Sequence, residues 1–128
     1  MSKTQIFGAD IPFASFCGVE PMEAKDDRSV LRLPLRQEHG NNLGIAHGGV
    51  TCTLLDIAMG SAARRKVDLP VMTLDMQVSF IAPGRGVLLA GRSVVFVEGE
   101  VTTEDGELVA KGSGLFKPVR MKDETAQG

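Results

Sequence analysis

From about Gly49 to Arg65 the chain has the interior VTCTLLDIAMGSAA, apolar or small on almost every helical face. A helix of that composition has no side to give to water, so burial nearly all round is expected. Arg64, Arg65 and Lys66 fall in or just after its last turn, where positive charge meets the negative end of the helix dipole, and Pro70 stops it. Whatever else the chain forms must therefore wrap this one helix. Asp56, between Leu55 and Ile57, is the exception within it. A carboxylate placed there loses hydration and must find a partner, raise its pKa or face a cleft. It either serves chemistry or bonds across a subunit seam, and the local pattern leaves both open.

The wrapping material has strand periodicity. Leu31, Leu33 and Leu35 alternate with Arg32, Pro34 and Arg36, the period of two of a half-buried strand. Gly18 to Ala24 and Ser29 to Arg36 are expected as two strands, with Pro34 forcing the second to an edge or a bulge. From Val71 to Ile81, Leu74, Met76, Val78 and Phe80 alternate with Thr73, Asp75, Gln77 and Ser79. Val87 to Glu98 is a long strand candidate, apolar on both faces from Val94 to Val97. Glu100 to Thr103 and Glu107 to Lys117 flank Asp105-Gly106, which predicts a type I′ hairpin. Pro12, Phe13 and Phe16 predict a short helical turn that tucks two rings onto the body. Gln37 to Gly44 and Pro83 to Gly86 are loop and turn. The sum is α+β: one long helix against an antiparallel sheet of about five or six strands. At 128 residues, 43% hydrophobic and 23% charged, this makes one domain over residues 1–120 and a polar tail over 121–128.

Composition closes several doors. A net charge of −2 with a pI near 5.6 gives no support to nucleic-acid binding driven by positive charge. With Trp and Tyr absent, base-stacking platforms have little to build on. Cys17 and Cys52 have no framework spacing and read as reduced thiols. No signal peptide and no apolar run of membrane length is present, so a cytoplasmic chain without a membrane partner is expected.

The polar residues near the start of the helix supply the chemistry. His47-Gly48-Gly49 lets a ligand approach the backbone where the first helical turn offers unpaired N–H groups. Such a group could hold a carbonyl that becomes an oxyanion, although two glycines in a row more often just ease entry into a helix. His39, His47 and Glu38 lack metal-ligand spacing, so no metal is expected. Gly84, Gly86, Gly112 and Gly114 make no phosphate loop. Cys52, one turn before Asp56, has no base beside it in sequence.

Together, Asn41, Gly44, His47, Gly48, Gly49, Leu55-Asp56-Ile57-Ala58 and Ala62 resemble the hotdog-fold thioesterases of the phenylacetic-acid-degradation (PaaI-like) type. The resemblance continues through Thr73, Asp75, Phe80, Pro83 and Val97-Glu98-Gly99-Glu100-Val101, and covers Phe13 to Phe116. An Asn six residues before the histidine and an acid nine after it is its most specific part. It implies a hotdog fold and hydrolysis of an acyl-coenzyme A thioester, with aromatic or medium-chain acyl groups. Asp56 would be general base or nucleophile, and the Gly48 N–H would polarise the carbonyl. Asn41 would orient water or carbonyl, and His47 would support the leaving thiol. Thr73, which stands where some relatives have Ser, would position the water. No resident cofactor is implied, because coenzyme A is part of the substrate. Homodimers, often dimers of dimers, are implied as well.

A distance supports that assembly. Gly48 and Asp56 are eight residues apart, about 12 Å along a helix. A reacting carbonyl lies roughly 3 Å from both its donor and its attacker. If both groups act on one thioester, they come from two chains. Two rivals remain at this stage: a non-catalytic acyl-coenzyme A binder, in which Asp56 is an interface residue, and a hotdog hydratase. The hydratase fits less well, because it needs an Asp and a His close together on one loop.

Overall fold

The long apolar run does form one unbroken helix, α2 (Gly48–Val67). The computed structural model describes residues 5–25, 28–92 and 98–119. Before α2 come a two-stranded hairpin, β1 (Gln5–Ile6) with β2 (Ala9–Asp10), a short helix α1 (Pro12–Cys17), and strands β3 (Glu20–Lys25) and β4 (Arg28–Pro34). After it come β5 (Val71–Phe80), β6 (Val87–Arg92), β7 (Glu98–Thr103) and β8 (Leu108–Pro118). Six of these strands form one antiparallel sheet in the order β3-β4-β6-β7-β8-β5, and α2 lies against all but β3. This is the α+β arrangement expected, with the helix held by a curling sheet. None of the described helices is long and apolar enough to cross a membrane.

The helix meets the sheet through Leu54, Leu55, Ala58 and Met59, in one core with Leu31, Leu33, Leu88, Ala90 and Val101. Burying each large aliphatic side chain contributes about 1.5–3 kcal/mol. Close approach depends on two sheet glycines. A Cβ on Gly99 would lie 3.0 Å from Met59 Cγ, and one on Gly112 would lie 3.2 Å from Leu55 Cδ1. Gly84, Gly112 and Gly114 thus permit close packing, whereas Gly86 meets nothing within 4 Å and serves its turn with a φ of 71°.

The structure corrects several sequence expectations. Burial of α2 is one-sided: Gly49 is exposed, and Cys52, Thr53, Asp56, Gly60 and Ala63 are partly so, because one sheet covers one face. Strand β4 is an interior strand, flanked by β3 and β6. Pro34 is tolerated at its end because β3 pairs only as far as Arg32, and the irregularity falls in β3 between Pro21 and Glu23. Phe13 and Phe16 do lie on a short helix but stack on each other at 6.3 Å, 56% and 61% exposed, instead of tucking in.

The Asp105-Gly106 hairpin is present, but only Gly106 has positive φ. It is a three-residue loop, closed by Thr103 N–H to Glu107 O at 2.9 Å and Gly106 N–H to Thr103 O at 3.0 Å. The two-residue turn with both φ positive lies at Phe7-Gly8 instead. Val94 to Val97 and the tail 121–128 lie outside the described residues.

Candidate active site

Asp56 sits midway along α2 between two buried neighbours, Leu55 and Ile57, with its own side chain partly open. Thr73 Oγ1 donates to Asp56 Oδ1 at 2.5 Å. The simple alternation of β5 places Thr73 opposite Met76 and Val78, so this contact needs an irregularity. Pairing with β8 supplies it: Thr73 faces Phe116 and Asp75 faces Leu115, which leaves Leu74 as an extra residue. Such a bulge reverses which face successive side chains meet. It turns Thr73 toward the helix while Met76 and Val78 keep their contact with the core. Leu74 is left 61% exposed.

Around the pair lies a cavity of about 260 Å³, with Ala9, Ile11, Gly60, Val71 and Phe116 in its walls. Gly60 lets the Phe116 ring lie on the helix, since a Cβ there would stand 3.3 Å from it. Among the described residues, Asp56 has no ion-pair partner and its Oδ2 has no donor. A carboxylate so placed can accept a proton from water or attack an electrophile.

The second cluster is at the start of α2. The His47 ring caps the helix: Gly49 N–H donates to Nδ1 at 2.9 Å. An accepting Nδ1 puts the proton of the neutral ring on Nε2, which faces outward as a donor. Val50 and Thr51 N–H donate to His47 O at 2.9 and 3.4 Å. The Gly48 N–H alone has no acceptor among the described residues of this first turn. It is thus the group available to a carbonyl oxygen.

The loop feeding this turn is fixed by the side chains of His39 and Asn41. Buried His39 accepts from Arg36 N–H through Nδ1 at 2.8 Å and bonds Cys17 O through Nε2 at 2.7 Å. Its own carbonyl receives His47 N–H at 2.8 Å. Asn41 shapes the same loop, with Oδ1 accepting from Leu43 and Ile45 N–H at 2.9 and 3.3 Å. Its side-chain oxygen is occupied in that turn, which leaves the amide nitrogen to meet a ligand. Gly84 O accepts from Ala46 N–H at 2.9 Å and holds the 83–86 loop beside it.

The five candidate residues fall into two groups. Asp56 and Thr73 meet directly, and Asn41, His47 and Gly48 share one loop and helix start. The intact α2 keeps the two groups about 12 Å apart within a chain. Burial pushes both cysteine thiols up, away from the reactive thiolate form. Arg64 is engaged by backbone carbonyls of Ile6 and Phe7, so among the basic residues near the helix end Arg65 and Lys66 are the exposed ones.

The fold sets a lone carboxylate on the central helix and an open amide at its start. Residues 43–110 match the Thioesterase superfamily, and the chain belongs to it as a hotdog-fold thioester hydrolase. A Halobacterium salinarum protein provisionally named an esterase is 36% identical over 136 aligned positions, covering 91% of this chain and 90% of that protein. A Bacillus halodurans protein solved with CoA is 37% identical, with a TM-score of 0.78 over 86% of this chain and 80% of that one. Escherichia coli PaaI, of the phenylacetic acid degradation operon, shares the fold at a TM-score of 0.79 and 18% identity, over 86% of each chain.

Proposed function

We propose that this protein hydrolyses acyl-coenzyme A thioesters carrying aromatic or medium-chain acyl groups, as a cytoplasmic homodimer that can pair again into a dimer of dimers. The observation that carries this reading is the separation of two complementary groups on one straight helix. An open amide and a carboxylate steadied only by Thr73, about 12 Å apart, become one site when a second copy brings its Asp56 to the first copy's Gly48. The edge strand β5 and the exposed Met72, Leu74 and Leu115 around it give that copy somewhere to sit. The CoA held by the Bacillus halodurans relative supports the substrate class.

In this reading the thioester carbonyl accepts from Gly48 N–H, with His47 Nε2–H and the Asn41 amide beside it. Asp56 of the partner chain, steadied by Thr73, takes a proton from water as the oxygen adds to the carbonyl carbon. The tetrahedral oxyanion rests on the helix start, and its collapse breaks the C–S bond and releases coenzyme A and the acid. Direct attack by Asp56 on the carbonyl carbon would expel the coenzyme A thiolate and form a mixed anhydride, which water then cleaves to the acid and the regenerated carboxylate. Hydrolysis needs water alone, so neither route calls for a cofactor or a metal. Membership in a thioester-hydrolase family weighs against the binding-only alternative.

The test is thiol release over a panel of acyl-coenzyme A thioesters, with wild type and Asp56→Asn. Turnover by wild type that falls away in the folded variant is expected. Full turnover in Asp56→Asn, or none from any thioester in wild type, overturns the assignment. Label in the Asp56 carboxylate after a single turnover in ¹⁸O-water marks the anhydride route with water attacking the Asp56 carboxyl carbon, a product the general-base route does not give.

A further inference from the structure

The cavity at Asp56 has one wall from outside the helix and the sheet. Ala9 and Ile11, at the end of the N-terminal hairpin, line it together with Asp56, Thr73 and Phe116. We propose that this hairpin, fastened by Arg64, is the wall that limits the acyl group beside Asp56, with Ala9 and Ile11 as the side chains that meet it. The proposal rests on the thioesterase reading above.

Three observations carry it. First, the hairpin is held by tertiary contacts and not by its own turn chemistry. Phe7 and Gly8 have φ of 50° and 88°, a pair of left-handed residues for which Asn-Gly is the usual choice. Phe7 has no side-chain reason to adopt that conformation. What retains it is Arg64, whose Nη2 donates to Ile6 O at 3.2 Å and to Phe7 O at 2.6 Å, together with the fully buried Ile6 side chain.

Second, Arg64 is on α2 two turns past Asp56, so the helix that positions the carboxylate also positions the wall facing it. Arg64 is in this sense a positioning residue: its guanidinium is engaged by the hairpin carbonyls, and it acts through Ala9 and Ile11.

Third, the lining suits hydrocarbon. Apart from the Asp56–Thr73 pair, Ser61 and the engaged Arg64, the walls are Ile11, Ile57, Val71 and Phe116 with smaller apolar residues. The amides and phosphates of a coenzyme A arm would find few partners there, whereas an acyl group would find apolar contact. The volume of about 260 Å³ is just under the roughly 300–1,000 Å³ usual for small-molecule pockets, which suits a compact acyl group.

The experiment compares kcat/KM over acyl-coenzyme A thioesters of increasing acyl length for wild type, Ile11→Ala, Ile11→Phe and Ala9→Leu. Ile11→Ala is expected to raise the ratio of long to short acyl groups about tenfold. Ile11→Phe and Ala9→Leu are expected to lower it by a similar factor, the scale of one or two methylene contacts. Arg64→Met should speed amide hydrogen exchange across residues 5–10 and flatten the same length profile.

Ratios within about twofold of wild type in all the folded Ile11 and Ala9 variants overturn the proposal. So does faster hairpin exchange in Arg64→Met with an unchanged profile. If wild type releases no thiol, the thioesterase reading fails. The wall is then read from affinities for non-hydrolysable thioether analogues: the same length ranking supports it, and no binding or no ranking overturns it.

Discussion

The two flanks of the sheet differ in how complete they are within one chain. On the β4–β6 flank, inward residues are sealed: Leu31 and Leu88 are 0% exposed and Leu33 is 1%. On the β5–β8 flank, Met72, Leu74, Phe80 and Leu115 remain 48–63% exposed. Thr73, Phe116 and Phe80, which stand against Asp56, Gly60 and Gly48, all belong to this open flank. The first flank is a finished core, and the second carries the site and lacks a cover. In the thioesterase reading, the missing cover and the missing half of the chemistry are the same second chain.

The sharpest way to break that contrast is to remove chemistry without touching either core. Asp56→Asn keeps size and shape at a partly open position, so it should leave the fold intact while lowering kcat by roughly 10³-fold or more, within the scale of positioned acid–base groups. Thiol release and circular dichroism on the same sample check this. A variant that loses its fold instead would place Asp56 with the structural residues.

The flanks themselves should respond differently to truncation and to charge. Leu33→Ala on the sealed flank removes fully packed atoms and should cost about 2–5 kcal/mol of unfolding free energy, independent of protein concentration. Leu74→Asp on the open flank should leave the isolated chain folded, because that side chain already faces water there. Its effect should appear as a dimer that dissociates at least about tenfold more readily, the weight of one well-packed interface residue, with activity recovering at high protein concentration. Denaturation at two concentrations and analytical ultracentrifugation read both. Equal behaviour of the two variants would erase the distinction.

A smaller effect tests the bulge. Thr73→Val removes the hydroxyl that donates to Asp56 at nearly constant volume, and turnover should fall about 10- to 100-fold, with Thr73→Ser restoring most of it. The sequence shows why this residue was hard to place. Its alternation assigns Thr73 to the face opposite Met76, and only the extra residue at Leu74 reverses that. Period-two patterns are blind to a one-residue insertion that another strand enforces.

Other parts were legible for physical reasons of the same kind. The helix, the β4 alternation and the isolation of Asp56 are local patterns in which neighbouring residues agree. The His39 anchor, the Arg64 latch and the Gly112 approach to Leu55 join residues 22, 58 and 57 positions apart, and no local period records them. The hairpin turns were misassigned for a related reason. Asp105-Gly106 has the better turn chemistry, yet the tertiary grip of Arg64 gives the two-residue turn to Phe7-Gly8.

The smallest expected effect lies where α2 ends. Asp68 closes the helix in the left-handed region at φ 55°, its N–H bonded to Arg64 O at 2.8 Å. Two things there are unfavourable. A side chain at positive φ costs more than glycine does, and a carboxylate faces the negative end of the helix dipole. Asp68→Gly removes both and gives back part of the gain as unfolded-chain entropy, so a net stabilisation of about 0.5–1 kcal/mol is expected. Because the cap is satisfied within the chain, that gain should be the same at every protein concentration, unlike the response of Leu74→Asp. A gain that appeared only at high concentration would show that the helix end, too, belongs to the half completed by a second copy.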